Sequence, residues 1–150
     1  VAKIAESLQM GRKGAMTAHK DILSEAEVDT LAKWVVEKSE GQPGSEEGQN
    51  LYSTKGCSAC HGQEADGVLA RGPNGEVLAT VGAANLIDGI WRFEPGGYES
   101  AKHTILYGVN QPGVEGSRDA VMPAFGQTGK LGEQEIKKLV VYVHQLGGGQ

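Results

Sequence analysis

Apolar residues recur at helical spacing in several stretches, and these stretches predict the helices of the chain. The clearest pattern runs over residues 24–39. Its apolar face is formed by Val28, Leu31, Trp34 and Val35. Ser24 precedes this face and Glu27 follows three residues later, which is the form of a capping box at a helix start. The pattern therefore predicts a capped amphipathic helix.

Shorter or weaker patterns predict the remaining helices. They cover residues 45–54, 99–107 and 133–146, with a weak helical pattern within residues 1–16. The stretches between them are rich in glycine, and none has the alternation typical of a strand. Three glycines at 147–149 predict a frayed end. The predicted fold class is all-α with long loops.

Composition adds one expectation and excludes two classes of protein. Glycine accounts for 23 of the 150 residues, roughly twice the usual share of about 7%. With aromatic residues at only 5%, a bound cofactor could fill part of the core. The net charge of −5 gives no basic face for nucleic acid. No apolar run is long enough for a membrane span, and no signal peptide is expected because Val1 begins within a helical pattern.

The helix at 24–39 has a second copy near the end of the chain. Residues 24–35 align with residues 132–143, so that Trp34 corresponds to Tyr142. Two amphipathic helices with similar caps would give the same local match. The alternative, a true internal repeat, is favoured because the correspondence continues upstream.

Upstream of both helices, Met16 corresponds to Met122 and Gly11 corresponds to Gly108. The first copy thus resembles the back half of a unit whose complete copy comes later, and the front half with its own cysteine pair is missing. The sequence predicts three segments, namely a partial repeat at 1–41, a linker at 42–44 and a complete domain at 45–150.

The chain has two cysteines, and they stand in the order Cys57-Ser58-Ala59-Cys60-His61. This order is the attachment motif of a c-type haem. Each thiol adds across one haem vinyl group, and the adjacent histidine meets the iron. A zinc site would require further ligands at suitable spacing. A redox dithiol would require a βαβ context. A structural or redox cysteine pair without haem is the remaining alternative.

The sixth iron ligand has to come from elsewhere in the chain. The candidates are His19, His103, His144, Met10, Met16 and Met122. Met122 is favoured because it lies in a loop before the last helix and is followed by Pro123, which can hold its sulfur rigidly. With His61 and Met122 both bound, the iron has no open position. That ligation favours electron transfer over oxygen or peroxide chemistry.

Trp91, Arg92 and Tyr98 are expected near the haem propionates. A guanidinium offers a planar fork to a carboxylate, and the indole and phenol can each donate one hydrogen bond. The alternative for Arg92 is a solvated surface charge.

The haem motif and four further stretches resemble a known family, the class I cytochromes c. Within it, the chain resembles the dihaem subunits III of cbb3-type cytochrome c oxidases. The stretches are ANLIDGIW (84–91), ILYG (105–108), VMPAFG (121–126) and LGEQEI (131–136). The resemblance implies a class I cytochrome c fold, with helices around one covalent haem c and a partial repeat before it.

The resemblance also implies particular contacts. Gly48 and Tyr52 would cross the last helix near Tyr142, and Met16 would hold the axial position of the incomplete copy. The family usually has a proline whose carbonyl orients the proximal histidine. Ala84 stands at that position here, and its carbonyl can still accept the bond.

The function implied by the resemblance is electron transfer without catalysis by the chain itself. The expected setting is the bacterial periplasm, at the inner membrane in the full-length protein. The expected partners are other redox proteins or haem subunits of a respiratory oxidase. The alternatives are a haem domain of another periplasmic oxidoreductase and a gas-binding or peroxidase haem enzyme. Residues 1–41 are expected to carry no haem and to dock as two helices on the main domain or, in a domain-swapped dimer, on a second copy.

Overall fold

The computed structural model describes residues 1–147, and the end of the predicted frayed glycine tail lies outside the described residues. The helices are α1 (Ala2–Met10), α2 (Glu25–Ser39), α3 (Glu46–Thr54), α4 (Ser58–His61), α5 (Gly97–Tyr107) and α6 (Glu133–Leu146). The predicted helical fold class is confirmed. No helix within residues 1–147 combines the length and the apolar character needed to cross a bilayer.

Within residues 1–147, four short strands interrupt the loops, so the expectation of no strands was wrong. They are β1 (Arg12–Lys13), β2 (Ala70–Arg71), β3 (Val77–Ala79) and β4 (Val121–Met122). The antiparallel pairs are β1 with β4 and β2 with β3. Strands of two or three residues are too short to show an alternating pattern, which explains why the sequence did not reveal them.

The chain divides into two compact units, and the predicted segments 1–41, 42–44 and 45–150 stay a prediction. The terminal unit combines Val1–Gly14 with Asp119–Gln150, and the central unit is Ala15–Arg118. Helix α1 packs on α6 in the terminal unit, while α2 packs on α3 and α5 in the central unit. The two helices of residues 1–41 therefore belong to different units.

Helix α2 begins with the predicted capping box. The Glu27 amide donates to Ser24 Oγ at 3.3 Å, and the Ser24 amide donates to the Glu27 carboxylate at 2.8 Å. The side chains that α2 buries are Val28, Leu31, Ala32 and Trp34. Val35, also predicted on this face, is partly buried against the same core.

The contact between α2 and α3 is formed by Trp34. Its ring stacks on Tyr52 with the centroids 4.6 Å apart, and a Cβ placed on Gly48 would lie 2.5 Å from the Trp34 Cβ. Trp34 and Tyr52 are both fully buried. Gly48 and Tyr52 were expected to cross the last helix near Tyr142, yet they pack on the repeat equivalent of that residue. Tyr142 itself is 59% exposed.

Polar contacts also tie α2 to its neighbours. Lys55, at the end of α3, forms an ion pair with Glu27 at 2.7 Å. From α5, the Tyr98 hydroxyl donates to Asp29 at 2.7 Å and the Lys102 ammonium pairs with the same carboxylate at 2.7 Å. Partly exposed pairs of this kind add little stability. They do favour the packing of α3 and α5 on α2, because α2 carries the matching carboxylates.

The terminal unit has its own small core. Leu8 of α1 packs with Ile136 and Val140 of α6, and Met122 and Phe125 lie against this cluster. The loop after Met122 is held by α1, because the Gly126 amide donates to the Leu8 carbonyl at 3.2 Å.

Replacing Gly48 with alanine is expected to destabilise the central unit. The new methyl group would overlap the Trp34 side chain, and overpacking typically costs roughly 1–3 kcal/mol. The better helix propensity of alanine returns about 1 kcal/mol. Chemical denaturation followed by Trp fluorescence measures the difference. Gly89→Ala is the control, because its nearest neighbour is a carbonyl oxygen at 3.9 Å. Equal midpoints for the two variants would contradict the close packing of α2 and α3.

The Glu27 carboxylate predicts an acid-dependent loss of stability. The Lys55 ammonium, followed by the bond from the Ser24 amide, lowers the pKa of Glu27 from 4.5 to about 2. Because the folded pKa is the lower one, this stabilisation is present above pH 4.5 and is lost as the pH falls towards 2. Glu27→Gln should therefore be less stable than wild type at neutral pH, and the difference should shrink in that window.

The control for this measurement is Glu25→Gln, which alters the same helical turn but forms no ion pair with any residue in the described range 1–147. Free energies of unfolding of the three proteins are compared between pH 7 and pH 2. A difference between wild type and Glu27→Gln that is constant across this range would exclude the ion pair as its source.

Candidate functional site

The motif Cys57–His61 is fixed at both ends by Tyr52. The Cys57 amide donates to the Tyr52 carbonyl at 3.1 Å. The buried Tyr52 hydroxyl donates to the Gly62 carbonyl at 2.6 Å. Since the Tyr52 ring also stacks on Trp34, the packing of α3 on α2 sets the position of the motif. This positioning role of Trp34 was not predicted.

The two cysteines are not joined by a disulfide. Cys57 is partly buried and packs against the central core, whereas Cys60 is exposed. Burial raises the pKa of the Cys57 thiol. Cys57 is the N-cap of the short helix α4 and Cys60 lies within it.

The His61 ring is oriented by the Ala84 carbonyl, as the sequence predicts. Nδ1 lies 2.9 Å from that oxygen, and because a carbonyl only accepts, Nδ1 is the protonated nitrogen and donates. The other ring nitrogen, Nε2, keeps its lone pair. Burial lowers the pKa of His61, although the Ala84 bond opposes this shift. The side chain is thus a neutral imidazole suited to bind a metal through Nε2.

Apolar side chains border the core around Cys57. Met16, Leu86 and Trp91 are partly buried and pack against the same cluster. Within residues 1–147, no three His, Cys, Asp or Glu side chains are grouped so that they could hold a metal ion. The donor set of two thiols, one oriented imidazole and an apolar surround therefore fits a covalent haem better than zinc.

The structure distributes the candidates for the sixth ligand between the two units. Met122 belongs to the terminal unit, while Met16 belongs to the central unit together with the haem motif. Met10 is 56% exposed, and His103 Nε2 lies 2.8 Å from the Gly116 carbonyl. The assignment of Met122 stays a prediction.

The three expected propionate ligands have different surroundings. The Tyr98 hydroxyl is engaged by Asp29, and this bond raises the pKa of Tyr98. Arg92 is exposed, with its guanidinium 5.8 Å from the Phe93 ring centre. Trp91 packs against the core that Cys57 also borders. A propionate role stays a prediction for Trp91, Arg92 and Tyr98.

Sequence reasoning did not single out Arg118. Its guanidinium lies 4.6 Å from the Phe93 ring centre. Its Nε atom is buried and has no hydrogen-bond partner in the part of the chain that the structure describes. No sequence motif marks this residue, because its neighbours, such as Phe93, are distant from it in the sequence.

The comparison with known families agrees with this site. The cytochrome c family profile matches residues 45–147. The chain therefore belongs to the cytochrome c family, whose members carry covalently bound haem c.

Among curated proteins, the chain is similar to cbb3-type cytochrome c oxidase subunits. It is 35% identical over 144 residues to subunit FixP of Azorhizobium caulinodans, covering 93% of this chain and 41% of the relative. It is 34% identical over 146 residues to subunit CcoP of Rhodobacter capsulatus, covering 90% and 42%. The chain thus spans about two-fifths of the length of these relatives. The resemblance expected from the sequence is confirmed.

Removing the Tyr52 hydroxyl is expected to loosen the haem motif. Tyr52→Phe removes one of two donors to the buried Gly62 carbonyl, which keeps the bond from the Ala65 amide at 3.2 Å. The loss of one such hydrogen bond costs about 0.5–1.5 kcal/mol. The measurement is the free energy of unfolding in denaturant. The control is Tyr142→Phe, where an exposed hydroxyl is lost and the change should stay within about 0.5 kcal/mol. Equal stabilities of the two variants would contradict the role of this bond.

Proposed function

We propose that the chain is an electron-transfer haem c protein that passes single electrons to the catalytic subunit of a cbb3-type cytochrome c oxidase in aerobic respiration. The observation that carries this proposal is the oriented His61 ring, with Nδ1 bonded to the Ala84 carbonyl, directly after two unpaired thiols. The named relatives are subunits of such oxidases.

The proposed attachment uses Cys57 and Cys60 for two thioethers and His61 as the proximal ligand. When bound, the haem supplies an iron that gains or loses one electron. The protein keeps the imidazole neutral, fixes its tautomer and surrounds it with apolar side chains. With a methionine as the second axial ligand, the coordination need not change between the two oxidation states. The chain by itself then has no catalytic reaction.

The relatives' names support the proposed partners, and the location is part of the same proposal. Their name as oxidase subunits supports contacts with other haem or copper centres of a respiratory complex. We place the chain in the periplasm, associated with the inner membrane in the full-length protein, and assign one haem to this chain. A swapped dimer through residues 1–41 is not required for burial, because α2 covers its apolar face within the same chain.

Haem attachment is tested by changing the thiols. Wild-type protein matured with a c-type haem system should keep its haem on the polypeptide after denaturation and acid acetone extraction. Cys57→Ser combined with Cys60→Ser should lose all of it, because no thioether can form. The control is Ser58→Ala, which changes a residue between the thiols. Extraction of free haem from the wild type would refute covalent attachment.

The same holoprotein distinguishes electron transfer from gas binding. Carbon monoxide added to the reduced protein at neutral pH should leave the absorbance spectrum unchanged, since both axial positions are filled. A carbon monoxide complex forming at once would favour the gas-binding or peroxidase alternative.

A further inference from the structure

We infer that Met16, and not Met122, is the methionine that completes the iron coordination of the haem attached at Cys57 and Cys60. This inference rests on the proposed function, because it presupposes a haem at that motif. It assigns the sixth ligand to a residue that precedes the motif in the chain.

The backbone at Met16 is built into the central unit. The Met16 amide donates to the Val109 carbonyl at 3.1 Å, and the Val109 amide donates back to the Met16 carbonyl at 2.9 Å. The Met16 side chain is partly buried against the same core as Cys57 and Trp91. The Met16 side chain thus packs on the same core that Cys57 of the haem motif borders.

The loop after Met16 is held on α5 by two backbone hydrogen bonds. The His19 amide donates to the Ile105 carbonyl at 3.0 Å, and the Lys20 amide donates to the Leu106 carbonyl at 3.1 Å. These bonds attach the loop to the last turn of α5. In the sequence, Pro123 was the reason to favour Met122. The hydrogen bonds after Met16 show that a methionine loop can be held in place without a proline.

Two equivalent glycines show that the methionine loops are exchanged between the copies. A Cβ on Gly108, at the end of α5, would collide with the Met16 carbonyl oxygen and lie 2.8 Å from the Ala18 amide. In the alignment of the two copies, Gly11 and Met16 lie in the first copy, and Gly108 and Met122 lie in the second. The end of α5, which is in the second copy, therefore packs on the methionine loop of the first copy.

The reciprocal contact is present in the terminal unit. A Cβ on Gly11 would collide with the Met122 carbonyl oxygen and lie 2.8 Å from the Ala124 amide. In addition, Arg12 pairs with Met122 between β1 and β4. Met122 thus has the same relation to Gly11 that Met16 has to Gly108.

The helix that follows each methionine is exchanged as well. Helix α3 packs Gly48 and Tyr52 on Trp34 of α2, where the family pattern led us to expect Tyr142 of α6. Because the short segment 17–24 joins Met16 to α2, the loop and its helix enter the central unit together.

Charge also favours α2 over α6 beside α5. Asp29 of α2 accepts from Tyr98 and pairs with Lys102. The corresponding residue of α6 is Lys137, which would place a second cation against Lys102 and leave Tyr98 without an acceptor. Like charges in contact discriminate against the alternative neighbour.

The test labels the methionine methyl groups with carbon-13 and observes them by NMR in the reduced, fully loaded protein. The chain has three methionines, and the methyl group of the iron-bound one is shifted far upfield by the haem ring current. Three variants are compared with wild type: Met16→Leu, Met122→Leu and Met10→Leu. Met10→Leu is the matched control, because Met10 is exposed.

We expect one upfield methyl signal that persists in Met122→Leu and Met10→Leu and is absent from Met16→Leu. The sulfur-to-iron charge-transfer band of the oxidised protein should follow the same pattern. If Met16→Leu does not fold, persistence of the signal in the other two variants still assigns it to Met16. Loss of the signal in Met122→Leu overturns the inference, whatever the other variants show.

A wild-type spectrum without any upfield methyl signal also overturns the inference, and it would direct attention to His19 as the ligand. Covalent haem is measured first on the denatured chain. A chain without haem refutes the proposed function, whereas a haem-bearing chain with its upfield signal from Met122 refutes only the assignment of Met16.

Discussion

The packing of Trp34 on Gly48 and Tyr52 is the contact on which the haem motif depends. Gly48 lets the indole approach the backbone of α3, and the indole in turn fixes the Tyr52 ring. From Tyr52, one hydrogen bond reaches each end of the motif. The orientation of His61 towards the Ala84 carbonyl is the last step of this sequence of contacts. A helix outside the family-matched range thus contributes to the position of His61.

Much of this arrangement could be predicted from the sequence, because the signals are local. The capping box of Ser24 and Glu27 locates the start of α2, and the order of Cys57, Cys60 and His61 identifies the cofactor. The carbonyl of Ala84 was expected to orient His61 from the resemblance alone. For the capping box and the haem motif, residue type and spacing are sufficient, whereas the contact of Ala84 with His61 spans 23 residues and needed the family pattern.

The choice between the two copies could not be predicted in the same way. Trp34 and Tyr142 satisfy the same apolar pattern, and so do Met16 and Met122, so periodicity assigns them equal roles. Their different fates depend on contacts far apart in sequence, such as that of Asp29 with Lys102. The predicted repeat shows that each role has two candidate residues, but it does not decide which of the two is used.

Chain connectivity gives a physical reason why α3 pairs with α2. Only six residues separate α2 from α3, whereas 78 residues separate α3 from α6. For a flexible chain, closing the longer loop costs about 2 kcal/mol more, and helices adjacent in sequence are usually adjacent in space. Once α2 occupies the surface of α3, the methionine at its amino-terminal side is brought to α5 with it. The lower entropy cost of the shorter connection would then select Met16 over Met122 as the haem ligand, without any contribution from differences between the two methionine loops.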